Sequence, residues 1–122
     1  MSRRPRPILA VTMGDPAGIG PEIAVRALAR PAVRRMARPL LFGDPAVIRK
    51  AAAIVGVPLP VVAIARAADA TFGADRIEVV DCARADLSRL EYGKVLPEAG
   101  LAAYHCVESA IHSALDGDVD AT

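Results

Sequence analysis

One stretch constrains this chain more than any other. Six apolar or β-favouring residues at 8–13 run into a segment that holds three glycines and a proline at 14–20, followed at once by Pro21 and Glu22. Ile8, Leu9, Val11 and Thr12 suit a buried strand. The glycines and Pro16 are a dense breaker signal. Pro21 stands where a first helical residue is best tolerated, because its missing N–H has no helical partner there. Glu22 falls in the first turn, where the helix dipole favours negative charge. The pattern predicts strand, glycine loop, helix.

A loop of this kind lets backbone come close to something. Gly14, Gly18 and Gly20 carry no Cβ, so the chain can adopt positive φ and touch a neighbour directly. The N–H groups of a helix start can also hold an anion. Two uses stay open: contact with a ligand, or a purely structural turn from strand to helix. The loop is not the dinucleotide fingerprint, because Ile23 occupies the place of the third glycine, and it lacks the Gly-Lys-Ser/Thr of a Walker loop. The candidate substrate-binding residues are Asp15, Gly18 and Gly20. The competing use of Asp15 is an Asx turn, its carboxylate bonded to nearby backbone N–H groups. Thr12 is either a cap or a ligand contact, and Glu22 reads as a helix-start charge rather than a base.

Further along, 21–29 forms the first helix, with Ile23, Ala24, Ala27 and Leu28 expected on one face, and Pro31 ends it or starts a short turn through Met36. A second strand is expected at 39–44. Asp44 then caps a helix that has Pro45 at its first position and Gly56 just past its end. Residues 60–65 and 77–81 read as strands three and four, separated by a polar, small-residue loop, and 86–95 as a loop around Tyr92-Gly93-Lys94. A last helix at 97–115 is closed by Gly117, with Leu101, Tyr104, Val107, Ile111 and Leu115 as its expected apolar face. Residues 119–122 begin a fifth strand. Strands that alternate with helices, several of them continuous apolar runs, predict an α/β fold: a mostly parallel sheet with helices on both faces.

At 122 residues the chain has room for one domain, and a 53% hydrophobic content allows a packed core. Aromatics are only 3%, so that core must be built from Ala, Val, Ile and Leu. A net charge of +1 gives no general pull toward nucleic acid or acidic membrane, so neither is an expected partner. Basic residues crowd at Arg3, Arg4 and Arg6 and at Arg34, Arg35 and Arg38; residues 1–7 are expected to form a disordered, solvated basic tail, with 8–122 as the folded portion. Cys82 and Cys106 form no C-x-x-C pair and no metal spacing, and reduced, buried thiols fit a cytoplasmic protein. The longest uncharged run, 51–65, is broken by Gly56, Pro58 and Pro60 and is shorter than the ~20 residues of a membrane helix. No targeting segment is expected.

The run Thr12-Met13-Gly14-Asp15-Pro16-Ala17-Gly18-Ile19-Gly20-Pro21-Glu22 resembles the N-terminal signature of the 4-hydroxythreonine-4-phosphate dehydrogenase family. A second stretch agrees: Gly93-Lys94-Val95, Ala99-Gly100, Ala102-Ala103-Tyr104 and Gly117-Asp118-Val119-Asp120-Ala121, with Leu96 departing from the small polar residue expected after Gly-Lys-Val. The resemblance implies the two-domain isocitrate/isopropylmalate dehydrogenase-like fold, of which this chain would supply roughly the first third. It implies oxidation, with loss of carbon dioxide, of 4-hydroxythreonine 4-phosphate or a related phosphorylated four-carbon hydroxy acid. It also implies NAD or NADP as cofactor, a divalent metal ion, and a homodimer. Family members are longer, so the chain is expected to be an N-terminal fragment cut within a strand and inactive alone, with cofactor and metal held mainly by residues beyond it. The other reading is a small non-catalytic α/β module that binds a phosphorylated metabolite through the glycine loop.

The remaining polar residues carry less. His105, Glu108 and His112 fall at i, i+3 and i+7 of the last helix, a spacing compatible with a metal, but they are expected opposite Tyr104, Val107 and Ile111 as a solvated stripe. Lys94 reads as a solvated loop lysine rather than a phosphate ligand. No Ser/His/Asp or Cys/His set can be assembled, so no catalytic and no metal-binding residue is assigned.

Overall fold

The computed structural model describes residues 5–122. Four parallel strands form one sheet in the order β1-β2-β4-β3: β1 (Ile8–Thr12), β2 (Arg38–Gly43), β3 (Val61–Ile64) and β4 (Ile77–Asp81). Between them lie α1 (Gly20–Leu28), α2 (Pro31–Met36) and α3 (Pro45–Val55), and α4 (Pro97–Leu115) follows β4. The expected fifth strand is reduced to one parallel bridge, Ala121 against Leu9, on the free side of β1. The Asp120 N–H donates to the Ile8 carbonyl at 2.8 Å, and the Ala10 N–H donates to the Ala121 carbonyl at 2.9 Å.

This order has a consequence for the helices. The chain crosses the sheet in one direction from β1 to β3, then returns through β4 toward Ala121. Right-handed crossovers put the helices of the two directions on opposite faces. α1 packs on α3, while α4 lies over β1 and β2. Successive residues of a strand face opposite sides, and Leu40, Leu41 and Phe42 are all fully buried, so β2 is covered on both faces.

Local chemistry explains the boundaries. The Asp44 carboxylate accepts hydrogen bonds from the Ala46 and Val47 N–H groups at 2.9 and 3.1 Å, Pro45 occupies the first helical position, and Gly56 ends α3 in the left-handed region. Glu78, buried in β4, accepts from the N–H groups of Thr71 and Phe72 and from the Thr71 hydroxyl, which pins the loop expected to be merely polar. Arg34 donates to the carbonyls of Leu28, Gly73 and Arg76 at 2.7, 3.0 and 2.8 Å, so it ties α1 and α2 to that same loop. Of the expected basic tail, residues 1–4 lie outside the described residues. The Arg6 guanidinium donates to the Arg34 carbonyl, and the carbonyls of Arg6 and Pro7 accept from Arg38.

Two helix faces differ from expectation. On α1 the buried residues are Pro21, Ala24, Val25 and Leu28, while Ile23 is exposed. On α4 the reversal is complete: Leu101, Tyr104, Val107, Ile111 and Leu115 are 45–78% exposed, and the buried stripe is Ala99, Ala102, Cys106 and Ala110. Both stripes satisfy the helical period. The small one wins the sheet because it lets the helix axis approach closely, whereas the expected face stands in solvent. Among the described residues no helix is long and apolar enough to cross a membrane.

Candidate functional site

The glycine loop leaves the carboxyl end of β1, the edge where open α/β sheets bind their ligands. Gly14 opens it with φ +71°. Asp15 then forms the Asx turn: its carboxylate accepts the Ala17 N–H at 2.8 Å, and its carbonyl accepts the Gly18 N–H at 3.0 Å. Pro16, Ala17 and Pro21 are buried beneath, while Asp15 itself is exposed. A Cβ on Gly20 would lie 2.3 Å from the Met13 carbonyl oxygen, so only glycine lets α1 start this close to the end of β1. A Cβ on Gly18 would meet nothing nearer than 3.5 Å. The requirement for glycine at position 20 is therefore internal packing, and position 18 is the one with room on its outer side. Thr12 and Glu22 are half-buried at the two ends of the turn.

A second loop closes on the first. The Gly93 N–H donates to the Ala17 carbonyl at 3.0 Å, so the two stretches that carried the family resemblance meet in space. Lys94 is engaged by Glu91 at 2.6 Å in an exposed ion pair, and the ammonium of Lys50 lies 4.9 Å from the centre of the Tyr92 ring.

Sequence reasoning missed the neighbouring crevice. Connections leaving β2 and β4 run to opposite faces, which opens a gap at the carboxyl ends of these adjacent strands. A cavity of about 340 Å³ lies there, lined by Asp44, Ala46, Val47, Lys50, Leu87, Ser88 and Leu90. Asp44 was legible only as a helix cap, and the cap consumes one of its oxygens. Nothing in the linear order joins Lys50 to Ser88.

His105, Glu108 and His112 do share one side of α4. With Arg84 and Ser109 they line a cavity of about 300 Å³. They flank the buried stripe rather than stand opposite the core, and His105 Nδ1 is buried without a hydrogen-bond partner among the described residues. The Tyr104 hydroxyl donates to Glu108 at 3.1 Å. Among the described residues no group of three or more His, Cys, Asp or Glu side chains is placed to hold a metal ion.

Comparison with known proteins bears on this geometry. The family model described as pyridoxal phosphate biosynthetic protein PdxA matches residues 35–122. A Symbiobacterium thermophilum protein provisionally named D-threonate 4-phosphate dehydrogenase is 40% identical over 116 residues, 95% of this chain and 35% of its own length. A 4-hydroxythreonine-4-phosphate dehydrogenase of Trichlorobacter lovleyi is 36% identical over 121 residues, again 35% of its length. The crystal structure of a 4-hydroxythreonine-4-phosphate dehydrogenase from Burkholderia phymatum superposes with a TM-score of 0.89 at 32% identity, over 95% of this chain and 35% of that one. The chain thus spans about a third of the length of the relatives it matches. The backbone of this parallel α/β layer follows that structure over about a third of its length, and the chain belongs to the family of pyridoxal phosphate biosynthetic protein PdxA.

Proposed function

We propose that these residues form the N-terminal α/β portion of a dehydrogenase that oxidises 4-hydroxythreonine 4-phosphate, or a related phosphorylated four-carbon hydroxy acid such as D-threonate 4-phosphate. The observation that carries this reading is the agreement of backbone and sequence with about a third of a 4-hydroxythreonine-4-phosphate dehydrogenase, at a TM-score of 0.89 and 32% identity. The glycine loop, on the carboxyl edge of the sheet and fastened by Gly93, supplies one wall of the substrate site. Asp15 holds the turn, and Gly18 offers backbone to the substrate.

Among the described residues no group of three or more His, Cys, Asp or Glu side chains is placed to hold a metal ion, and the loop departs from the dinucleotide fingerprint at Ile23. In this reading NAD or NADP and a divalent metal are held by the part of the fold that the longer relatives add. Residues 1–122 alone are inactive, and the working form is a cytoplasmic homodimer.

A chimera tests the reading. Residues 1–122 replace the matching third of the Symbiobacterium thermophilum relative, and NADH formation is followed with each of the two phosphorylated hydroxy acids. The expected result is turnover with at least one. A chimera that is folded and dimeric yet reduces no NAD with either compound would refute the proposal.

A further inference from the structure

Cys82 and Cys106 lie 24 positions apart in sequence, yet their sulfurs are 3.5 Å apart. Cys82 stands one residue beyond β4, and Cys106 belongs to the small-residue stripe with which α4 packs on the sheet. Both are buried, at 5% and 0% exposed. A disulfide needs an S–S separation of about 2.05 Å, so the sulfurs must close by about 1.5 Å, within the reach of a side-chain rotation and a small helix shift.

We infer that Cys82 and Cys106 are an oxidisable dithiol, which a small hydroperoxide converts to a disulfide that staples α4 to the end of β4. Access comes by way of the cavity lined by Arg84, His105, Glu108, Ser109 and His112: Arg84 lies two residues beyond Cys82, and His105 directly precedes Cys106.

The two thiols are not equivalent. Hydrogen bonding from Cys106 holds the Cys82 thiol below its ordinary range; burial opposes this, Ser109 and Arg84 help it, and Asp81 opposes it. The same pairing pushes Cys106 strongly upward, with burial, Cys82, Asp44 and Asp81 acting in the same direction. Cys82 is also the more accessible of the two, 5% exposed against 0% for Cys106, and is the attacking sulfur. Its thiolate takes one oxygen of the hydroperoxide; the O–O bond breaks, the other oxygen leaves with a proton as water or an alcohol, and Cys82 becomes a sulfenic acid. Cys106 then loses its proton and attacks the Cys82 sulfur. The S–O bond breaks, hydroxide leaves and takes up that proton as water, and the disulfide forms. Two thiols are oxidised by two electrons and one peroxide is reduced. The bond pins the face of α4 against a strand end whose Cys82 N–H already donates to the Gly43 carbonyl at 3.1 Å.

The experiment uses the 122-residue chain, hydrogen peroxide in modest excess, and intact-mass and peptide analysis. The expected product is lighter by two hydrogens, yields a Cys82–Cys106 linked peptide that dithiothreitol splits, and melts about 10 °C higher until reduced. Cys106→Ser, or Cys106→Ala if that variant folds better, stops at a Cys82 sulfenic acid that dimedone traps. Free thiols after peroxide treatment, disulfides only between chains, or sulfinic acid without a linked peptide would each overturn the inference. So would dimedone label absent from Cys82 in both variants.

Discussion

A β-carbon placed on Gly20 would sit 2.3 Å from the carbonyl oxygen of Met13, with the Met13 carbonyl carbon at 3.3 Å. Both obstacles are backbone, so neither can swing away. Gly20→Ala must therefore move the start of α1 or the end of β1, and the expected loss of stability is about 2–4 kcal/mol, read from denaturant melts. Gly18→Ala is the control, since its Cβ meets nothing nearer than 3.5 Å. Its expected effect on stability is below about 1 kcal/mol, whereas in the active chimera it lowers kcat/KM if Gly18 offers backbone to the substrate. A neutral Gly20→Ala would show that the two segments are not in contact.

Asp44 caps α3 through two N–H groups. Replacing it with Ala removes both bonds and is expected to cost about 1 kcal/mol, while Asn or Ser keeps most of the stability. Urea denaturation of the three variants checks the ranking. Equal losses in all three would mean that the carboxylate matters through charge, not through capping.

Arg34 supplies three hydrogen bonds to carbonyls from Leu28 to Arg76 and, among the described residues, no salt bridge. Burial lowers its pKa from the usual guanidinium value, opposed by the charges of Glu78 and Asp75. Arg34→Ala leaves those acceptors without their partner and is expected to destabilise by about 2–3 kcal/mol. Arg34→Lys recovers less than half, because an ammonium cannot span three separate carbonyls with a planar fork. Hydrogen exchange should show the loosening at 71–76; protection unchanged there would contradict the role.

The exposed stripe of α4 makes a paired prediction. Ile111→Lys and Leu115→Lys remove apolar surface from solvent and are expected to change stability by less than about 0.5 kcal/mol while reducing self-association of the isolated chain. Ala102→Leu on the buried stripe forces the helix off the sheet and is expected to cost about 1–3 kcal/mol. Light scattering and thermal melts separate the two effects. A stable Ala102→Leu together with an unfolded Ile111→Lys would restore the face expected from sequence.

That face shows where sequence reading stops. Strand and helix positions were legible because their signals are local: Asp44-Pro45 before α3, Gly56 after it, the alternation of 77–81. The parallel α/β arrangement followed from their alternation. Which side of α4 meets the sheet is set by how closely a helix can approach β1 and β2, and that depends on the partner surface. Residue hydrophobicity favoured Leu101 and Ile111, yet close packing chose Ala102 and Cys106. At the candidate site, the Asx turn at Asp15 was read from one side-chain type and its neighbours. The crevice between Asp44, Lys50 and Ser88, and the contact of Cys82 with Cys106, arise only when distant segments are brought together by strand order.

In the proposed function this α/β layer carries one wall of a dehydrogenase site and none of its reactive centre. The direct measurement is NADH absorbance when the purified 122-residue chain is given 4-hydroxythreonine 4-phosphate, NAD and a divalent cation. The expected result is no rate above the protein-free background, with turnover appearing once the chain is joined to the remaining two-thirds of the Symbiobacterium thermophilum relative. Sustained NADH formation by the 122 residues alone would contradict it.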